Sequence, residues 1–184
     1  MIYLGAVLGL RWAECAGLRV GRLDLLRSTV TVAEQLGRDG RTAPPKSAAG
    51  RRTLGILAWL VTMLGEHLAH RGLTDADTDA LVFTAPDGGP LDYTNWRRRV
   101  WQPATRTAAL DGLGFHDLRR ASATAMVLDG VDVRTAQARL GHSDPRLTLA
   151  VYAQATDEGD QAATESLGAR FQPTPRHGRA IEVL

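Results

Sequence analysis

Apolar and polar positions follow two different rhythms along the chain, one typical of helices and the other of strands. Residues 1–10 form an apolar, helix-like run, and helical spacing resumes over residues 12–18. Residues 28–32 alternate β-branched side chains in the manner of a strand, and residues 52–56 predict a strand that returns beside it. A polar segment, residues 37–50, separates the two strands. The pattern predicts a mainly helical α+β domain with a small antiparallel β-sheet near its N-terminal half.

After one helix at 57–71 and a loop region at 73–90, the second half of the chain is predicted to be almost entirely helical, with turns between the helices. Thr94 is predicted as the N-cap of one of them, with a kink or a break at Pro103. Gly130 and Gly141 are predicted to end two further helices. The predicted helices cover residues 57–71, a stretch that begins at 94, residues 116–128 and 132–140, a stretch that begins at 144, and residues 158–171, before a frayed end at 173–184.

Composition narrows the class of protein. The chain has 184 residues, of which 44% are apolar and 23% charged, so one compact domain with or without a tail is expected, and collagen, coiled coil and disorder are excluded. The longest apolar runs are far shorter than the ~20 residues that span a bilayer, and no secretory signal is visible after Met1. Cys15 is the only cysteine, which agrees with a reducing cytoplasm.

The basic residues are more informative than the net charge of +2. Of the 22 basic residues, 21 are Arg and one, Lys46, is Lys. Residues 93–152 carry nine Arg against five Asp, whereas residues 153–184 carry three Arg against five acidic residues. The basic segment is therefore the part of the chain that could face a polyanion.

Several polar residues stand out against this pattern. His116 and Arg119 lie on one face of a predicted helix, so an imidazole and a guanidinium can address one anion. A second helix end presents His142, and Tyr152 follows ten residues later. Arg11 lies in an otherwise apolar segment, where its burial would be costly unless a carboxylate or a phosphate paired with it.

These segments, in this order, resemble the catalytic domain of the tyrosine recombinases, the phage integrase family. The resemblance covers roughly residues 1–155 and implies a tyrosine recombinase catalytic domain there, followed by a C-terminal helix and flexible tail at 156–184. Members normally carry an N-terminal DNA-clamping (core-binding) domain, so the chain is expected to be truncated at its N terminus. The matching segments are LGLRWAE at 8–14, PPKSAAGRRT at 44–53, VFTAPDGGPL at 82–91, NWRRRVW at 95–101, FHDLRR at 115–120, LGHS at 140–143 and LTLAVY at 147–152.

The resemblance implies a role for each of these polar residues. Arg11 and Arg119 would hold the scissile phosphate, and His116, the first histidine of the pocket, would assist proton transfer or orient the phosphate. His142 would be the second histidine, Lys46 the general acid of the β-hairpin loop and Tyr152 the nucleophile that forms a 3′-phosphotyrosine. One departure from the family is Arg120, which stands where many members have His.

The resemblance also implies the partners of the chain. A recombination site on double-stranded DNA is the expected substrate, bound by a homotetramer, with an accessory directionality factor as a further partner. No metal, no cofactor and no membrane is expected, and the protein is expected in the cytoplasm, associated with the nucleoid when bound to DNA.

Each assignment has a structural alternative. Arg11 could pair with Glu14 at i, i+3, a contact that is expected in addition to the phosphate role. Lys46 could be a solvated loop residue, and His142 could cap a helix. Tyr152 could be a core aromatic, Cys15 could simply pack, and residues 97–99, all Arg, could be a solvated face or a phosphate contact.

Three other functions compete with an active recombinase. A truncated integrase could persist as a non-catalytic remnant with residual DNA binding, since fewer phosphate contacts lower affinity. A helical DNA-binding regulator would explain the basic helices but not the ordered set of Arg, Lys, His and Tyr. A type IB topoisomerase would use related chemistry, yet the sequence motifs resemble those of the integrases.

Overall fold

The computed structural model describes residues 1–146, 148–151 and 153. Helices dominate it, and their bounds are α1 (Ile2–Leu8), α2 (Trp12–Ala16), α3 (Ala58–His70), α4 (Tyr93–Trp96), α5 (Gln102–Thr107), α6 (Phe115–Leu128) and α7 (Val133–Leu140). The strands are β1 (Leu23–Asp24), β2 (Thr29–Val32), β3 (Gln35–Leu36), β4 (Thr42–Ala43) and β5 (Arg52–Gly55). The predicted α+β class is confirmed.

The main sheet has three antiparallel strands in the order β1-β2-β5. Val30 pairs with Leu54 and Val32 with Arg52, and these four side chains are buried. Both predicted strands are therefore confirmed, and the alternation that predicted them turns Arg52 toward the protein interior together with Leu54.

The apolar core joins residues of this sheet and of the helices in one cluster. Leu4 and Leu8 of α1 are 1% exposed, and they belong to one cluster with Val30 of the sheet and Phe115 of α6. Because α1 packs on α6, the segment that follows α1 is held beside the first turns of α6. This packing brings Arg11 near the helix that carries His116 and Arg119.

Three sequence expectations need correction. The N-cap of α4 is Asp92 rather than Thr94, because Asp92 Oδ1 accepts a hydrogen bond of 2.7 Å from Asn95 N. The helix does not break at Pro103: the backbone continues from a π-helical turn, Arg97–Trp101, directly into α5, of which Pro103 is the second residue. The polar segment 37–50 contains strand β4, which pairs with β3.

The C-terminal part is described only in part. Residues 145, 146, 148–151 and 153 are helical, which confirms the helix predicted from Asp144 onward. The helix predicted at 158–171 and the frayed end at 173–184 lie outside the described residues. Within the described ranges, no helix has both the length and the apolar character that crossing a membrane requires.

Candidate active site

A cleft of about 410 Å³ lies between the start of α2, the first half of α6 and the helical segment after His142. Arg11, His116, Arg119 and His142 all line it. Four of the six side chains predicted to carry the chemistry are therefore gathered around one cleft.

Arg119 forms the floor of the cleft and is only 3% exposed. Its Nη1 donates to the carbonyl oxygen of Gly9 and its Nη2 to that of Leu140, both over 2.6 Å. These carbonyls belong to the C-terminal ends of α1 and α7, where helix carbonyls lack intrahelical donors. Burial, with a smaller contribution from the charge of Arg11, lowers the pKa of Arg119 to about 9, so the guanidinium is still charged at neutral pH.

Arg11 is fixed by a carboxylate one helical turn away. Glu14 Oε2 accepts from the Arg11 backbone N over 2.8 Å, and Glu14 Oε1 accepts from Arg11 Nη1 over 2.9 Å. The side chain of Arg11 is 37% exposed while that of Glu14 is 2% exposed, so Arg11 extends from a buried anchor to the cleft. The Arg11–Glu14 ion pair foreseen from the i, i+3 spacing is confirmed.

Glu14 also binds a second guanidinium, that of Arg52. Arg52 Nη1 and Nη2 lie 3.1 and 2.9 Å from the two carboxylate oxygens. Burial alone would raise the pKa of Glu14, but the hydrogen bonds and charges of Arg52 and Arg11 outweigh burial and hold that pKa below its ordinary value. Glu14 is therefore an ionised carboxylate shared by two arginines.

Arg52 connects three segments around the cleft. Besides Glu14 in α2, it binds the carbonyl oxygen of Gly50 over 3.0 Å and that of Arg139 in α7 over 2.7 Å. Sequence reasoning missed this residue as part of the site. The signal was present, because an Arg at an inward-facing strand position beside Leu54 requires a buried partner.

His142 follows the end of α7 and turns its ring into the cleft region. Gly141, with φ 64°, is the C-cap of α7, and Gln137 Nε2 donates to the His142 carbonyl over 3.1 Å. The ring Nδ1 lies 2.9 Å from Oγ1 of Thr148, a residue that is 1% exposed. Burial, then the charges of Arg119 and other neighbouring arginines, lowers the pKa of His142 to about 4, so its imidazole is neutral at pH 7.

His116 stands in the first turn of α6, on the same side as Arg119. Burial and the charges of Arg119, Arg120 and Arg11 lower its pKa, and the opposing effect of Asp117 is smaller. His116 is therefore also neutral at pH 7 and can accept a proton.

The charges around the cleft do not cancel. Three guanidinium groups, those of Arg11, Arg52 and Arg119, stand against the single carboxylate of Glu14, which leaves an excess of two positive charges among these four residues. Such an excess at a partly buried site favours an anion with several acceptor oxygens.

A second cleft, of about 360 Å³, shares His142 with the first. Arg51 and Arg134 line it, and both are exposed. Positive charge thus continues from the Arg119 cleft across His142 to the segment that precedes β5.

The other two predicted residues, Lys46 and Tyr152, are not among the described residues that line the first cleft. Lys46 is exposed in the segment between β4 and β5. Tyr152 lies outside the described residues, while Ala150 and Val151 line the cleft. Cys15 is fully buried, as expected for a packing role, and burial raises the pKa of its thiol to about 12.

Curated relatives match most of the chain. The tyrosine recombinase XerC-like protein of Caldanaerobacter subterraneus subsp. tengcongensis is 27% identical over 183 residues, covering 91% of this chain and 46% of that protein. The integrase of Mycobacterium phage L5 is 24% identical over 172 residues, covering 90% of this chain and 45% of that protein. The chain thus spans about half the length of these relatives.

A solved structure confirms the predicted fold. The integrase of transposon Tn1549, in complex with circular intermediate DNA, superposes with a TM-score of 0.72 at 23% identity, covering 90% of this chain and 58% of that one. The sequence model of the phage integrase family matches residues 1–159. With the sequence model, the fold and the arginine–histidine cleft in agreement, the chain belongs to the phage integrase family.

Proposed function

We propose that this chain is the catalytic part of a site-specific DNA recombinase that cleaves and rejoins strands through a 3′-phosphotyrosine on Tyr152. The observation that carries the proposal is the joint placement of Arg11, His116, Arg119 and His142 around one positively charged cleft. A phosphodiester, with one negative charge and two non-bridging oxygens, fits the excess charge and the number of donors there.

In the proposed cleavage reaction, each group takes the role that its protonation state allows. The phenolic oxygen of Tyr152 attacks phosphorus, the bond from phosphorus to the 5′ oxygen breaks, and a 3′-phosphotyrosine forms. His116, neutral at pH 7, accepts the phenolic proton or orients the phosphate. Lys46 gives a proton to the leaving 5′ oxygen, which a flexible ammonium does better than a guanidinium.

Arg11, Arg119 and His142 stabilise the charge that develops on the non-bridging oxygens. Their donors are held in place before the substrate arrives, Arg119 by two backbone carbonyls and Arg11 by Glu14. Fixed donors of this kind are worth most in the transition state. The covalent link retains the energy of the phosphodiester, so a 5′ hydroxyl can reverse the reaction without ATP.

The proposal extends to partners. Rejoining two duplexes requires four strand cleavages, so the active species is a homotetramer on a double-stranded recombination site, near the nucleoid, with an accessory factor that sets direction. The Tn1549 integrase, which shares this fold, has been solved on DNA. We assign residues 1–155 to the catalytic domain and residues 156–184 to a C-terminal helix and tail.

An inactive, DNA-binding remnant is the second candidate. The exposed position of Lys46, outside the cleft, favours it because a leaving group bound there would lack its acid. The two candidates share DNA binding and differ in covalent chemistry.

Covalent capture separates them. The probe is a pool of nicked duplexes of randomised sequence, in which departure of a short 5′ fragment traps the protein on DNA. We expect a denaturant-resistant adduct with the wild-type chain, its loss in Tyr152→Phe, and its retention in Tyr3→Phe and Tyr93→Phe, which alter the other two tyrosines. A folded wild-type chain that shifts the duplexes in a gel but yields no adduct supports the remnant instead.

A further inference from the structure

Thr148 uses its hydroxyl differently from other threonines in the helices. Thr62, Thr105 and Thr107 each donate to a carbonyl of their own helix, over 3.2, 3.0 and 3.1 Å. Thr148 also lies in a helical segment, yet within the described residues the hydrogen-bond partner of its Oγ1 is Nδ1 of His142, at 2.9 Å. This hydroxyl is thus committed to the histidine.

A neutral imidazole carries one proton, and its position decides what the ring can do. With the proton on Nδ1, the ring donates to Thr148 and leaves Nε2 as an acceptor. With the proton on Nε2, Nδ1 accepts from the threonine and Nε2 is free to donate. Because Thr148 is 1% exposed, water cannot take its hydroxyl proton, and a buried hydroxyl without an acceptor is costly.

We propose that Thr148 is a positioning residue whose hydroxyl donates to Nδ1 of His142 and thereby fixes the imidazole proton on Nε2. The burial of the hydroxyl and its proximity to Nδ1 carry this inference. Burial and the neighbouring charges of Arg119, Arg11 and Arg52 disfavour a doubly protonated ring, so the ring carries a single proton whose position the threonine decides. His142 is then a neutral donor at a site where a positive imidazole would be repelled.

The consequence for the reaction rests on the proposed function. In that reaction Nε2–H of His142 donates to a non-bridging oxygen of the phosphate, and a ring of the other tautomer would offer it a lone pair instead. Thr148 therefore acts on the transition state through His142 without touching the substrate.

The tautomer can be observed without any reaction. Nitrogen-15 NMR of the full chain at pH 7 distinguishes protonated from unprotonated ring nitrogens, and the His142 signals are assigned by their loss in His142→Gln. We expect Nε2–H with an unprotonated Nδ1 in the wild type and in Thr148→Ser, and a mixture of tautomers in Thr148→Val. A wild-type ring with its proton on Nδ1, or a Thr148→Val ring identical to wild type, overturns the proposal.

Adduct formation supplies the second readout. Thr148→Val is expected to lower the cleavage rate roughly 10- to 100-fold at saturating DNA, with DNA affinity unchanged, because one donor in the transition state is impaired. Thr148→Ser is expected to restore the rate. Thr62→Val is the matched control, since its hydroxyl serves only its own helix, and it is expected to change neither readout.

The two readouts distinguish a wrong role for Thr148 from a wrong proposed function. If the wild type forms no adduct but its His142 ring carries the proton on Nε2, the recombinase proposal fails and the tautomer assignment stands. If the wild type forms an adduct and Thr148→Val, folded by its unfolding midpoint, forms it equally fast, the positioning role is wrong. Should Thr148→Val not fold, the wild-type and Thr148→Ser spectra still decide the tautomer.

Discussion

Arg52 and Glu14 form a buried, two-point ion pair between residues 38 positions apart, with Arg52 Nη1 and Nη2 at 3.1 and 2.9 Å from the two Glu14 oxygens. The same carboxylate anchors Arg11, which reaches the cleft. Strand β5 and helix α2 are thus connected through one charge that also orients a proposed phosphate ligand.

Glu14→Gln is expected to destabilise the fold and to impair cleavage. The change removes the only carboxylate among the partners of Arg11 and Arg52 in the described residues, and it leaves Arg52, whose side chain is 6% exposed, without its counter-charge. Breaking a buried pair from one side costs about 3 kcal/mol of unfolding free energy. Urea denaturation measures the loss, and the covalent-capture assay measures the effect on Arg11.

The control for Glu14→Gln is Asp24→Asn. Asp24 makes the same pair of contacts with Arg27, to a backbone N and to Nη1, at 2.8 and 2.9 Å, but the Arg27 side chain is 84% exposed. Little change in the urea midpoint is expected there, because exposed ion pairs contribute little. An equal fall of the urea midpoint in the two variants would show that burial of the Glu14 carboxylate is not the reason why its ion pairs stabilise the fold.

Gly141→Ala is expected to disturb the turn that presents His142. Gly141 has φ 64°, and a Cβ there would lie 2.8 Å from the Ala49 carbonyl oxygen and 2.8 Å from Arg52 Nη1. The left-handed backbone costs about 1 kcal/mol for an alanine, and the forced contacts add roughly 1–3 kcal/mol. Both the unfolding midpoint and adduct formation should fall.

Gly130→Ala isolates the backbone part of this effect. Gly130 has φ 72°, and a Cβ there meets nothing within 4 Å. Its variant should lose about 1 kcal/mol of unfolding free energy and keep full cleavage activity. If Gly141→Ala were no worse than Gly130→Ala, the close approach of Ala49 and Arg52 to Gly141 would have no energetic importance.

The sequence predicted the local parts of the site well. His116 and Arg119 are three positions apart on one helix, so helical periodicity alone places them together, and the i, i+3 pair of Arg11 and Glu14 follows from the same rule. The contacts made by Arg52 depend instead on how separate segments pack, and the contact of Thr148 depends on the turn between His142 and the helical segment that follows it. Such contacts have no local pattern, although an inward-facing Arg52 does call for a buried acid.

The errors in the fold have two different causes. Asp92 and Thr94 are both good capping residues two positions apart, and the structure has Asp92 as the cap, with its side chain accepting from Asn95 N. The π-helical turn before Pro103 carries Trp101, whose Nε1 donates to the Leu113 carbonyl over 2.7 Å. That tertiary bond has no counterpart in helix propensity.

Arg119→Lys is expected to destabilise the fold and to abolish DNA cleavage. A single ammonium cannot reproduce the planar fork that donates to Gly9 and Leu140, whose carbonyls lie at the ends of two different helices. We expect a loss of about 2 kcal/mol of unfolding free energy, since hydrogen bonds from a charged donor are lost, and no detectable adduct. The adjacent Arg120→Lys is the control, because the Arg120 side chain is 76% exposed and pairs loosely with Asp117 at 3.6 Å. Equal behaviour of the two variants would contradict the anchoring role of Arg119.

Acidification is expected to weaken the fold between about pH 6.5 and pH 5. The pKa of His142 is lowered from 6.5 to about 4 in the folded state, so in this interval the unfolded chain binds a proton that the folded chain does not. Stability from the neutral ring is therefore complete above pH 6.5 and is lost as pH falls toward 4. His116, whose pKa is also lowered, contributes with the same sign.

Urea midpoints at pH 7.5, 6.0 and 5.0 measure this dependence before most carboxylates titrate. His142→Gln removes one titrating ring, so its midpoint should fall less steeply with pH than that of the wild type, while His70→Gln, on the exposed face of α3, should follow the wild type. The Arg119 and Arg11 charges that disfavour the imidazolium are the same charges that would hold the phosphate. A wild-type midpoint that is flat from pH 7.5 to 5.0 would mean that neither burial nor these guanidinium groups lower the pKa of His142 in the folded chain.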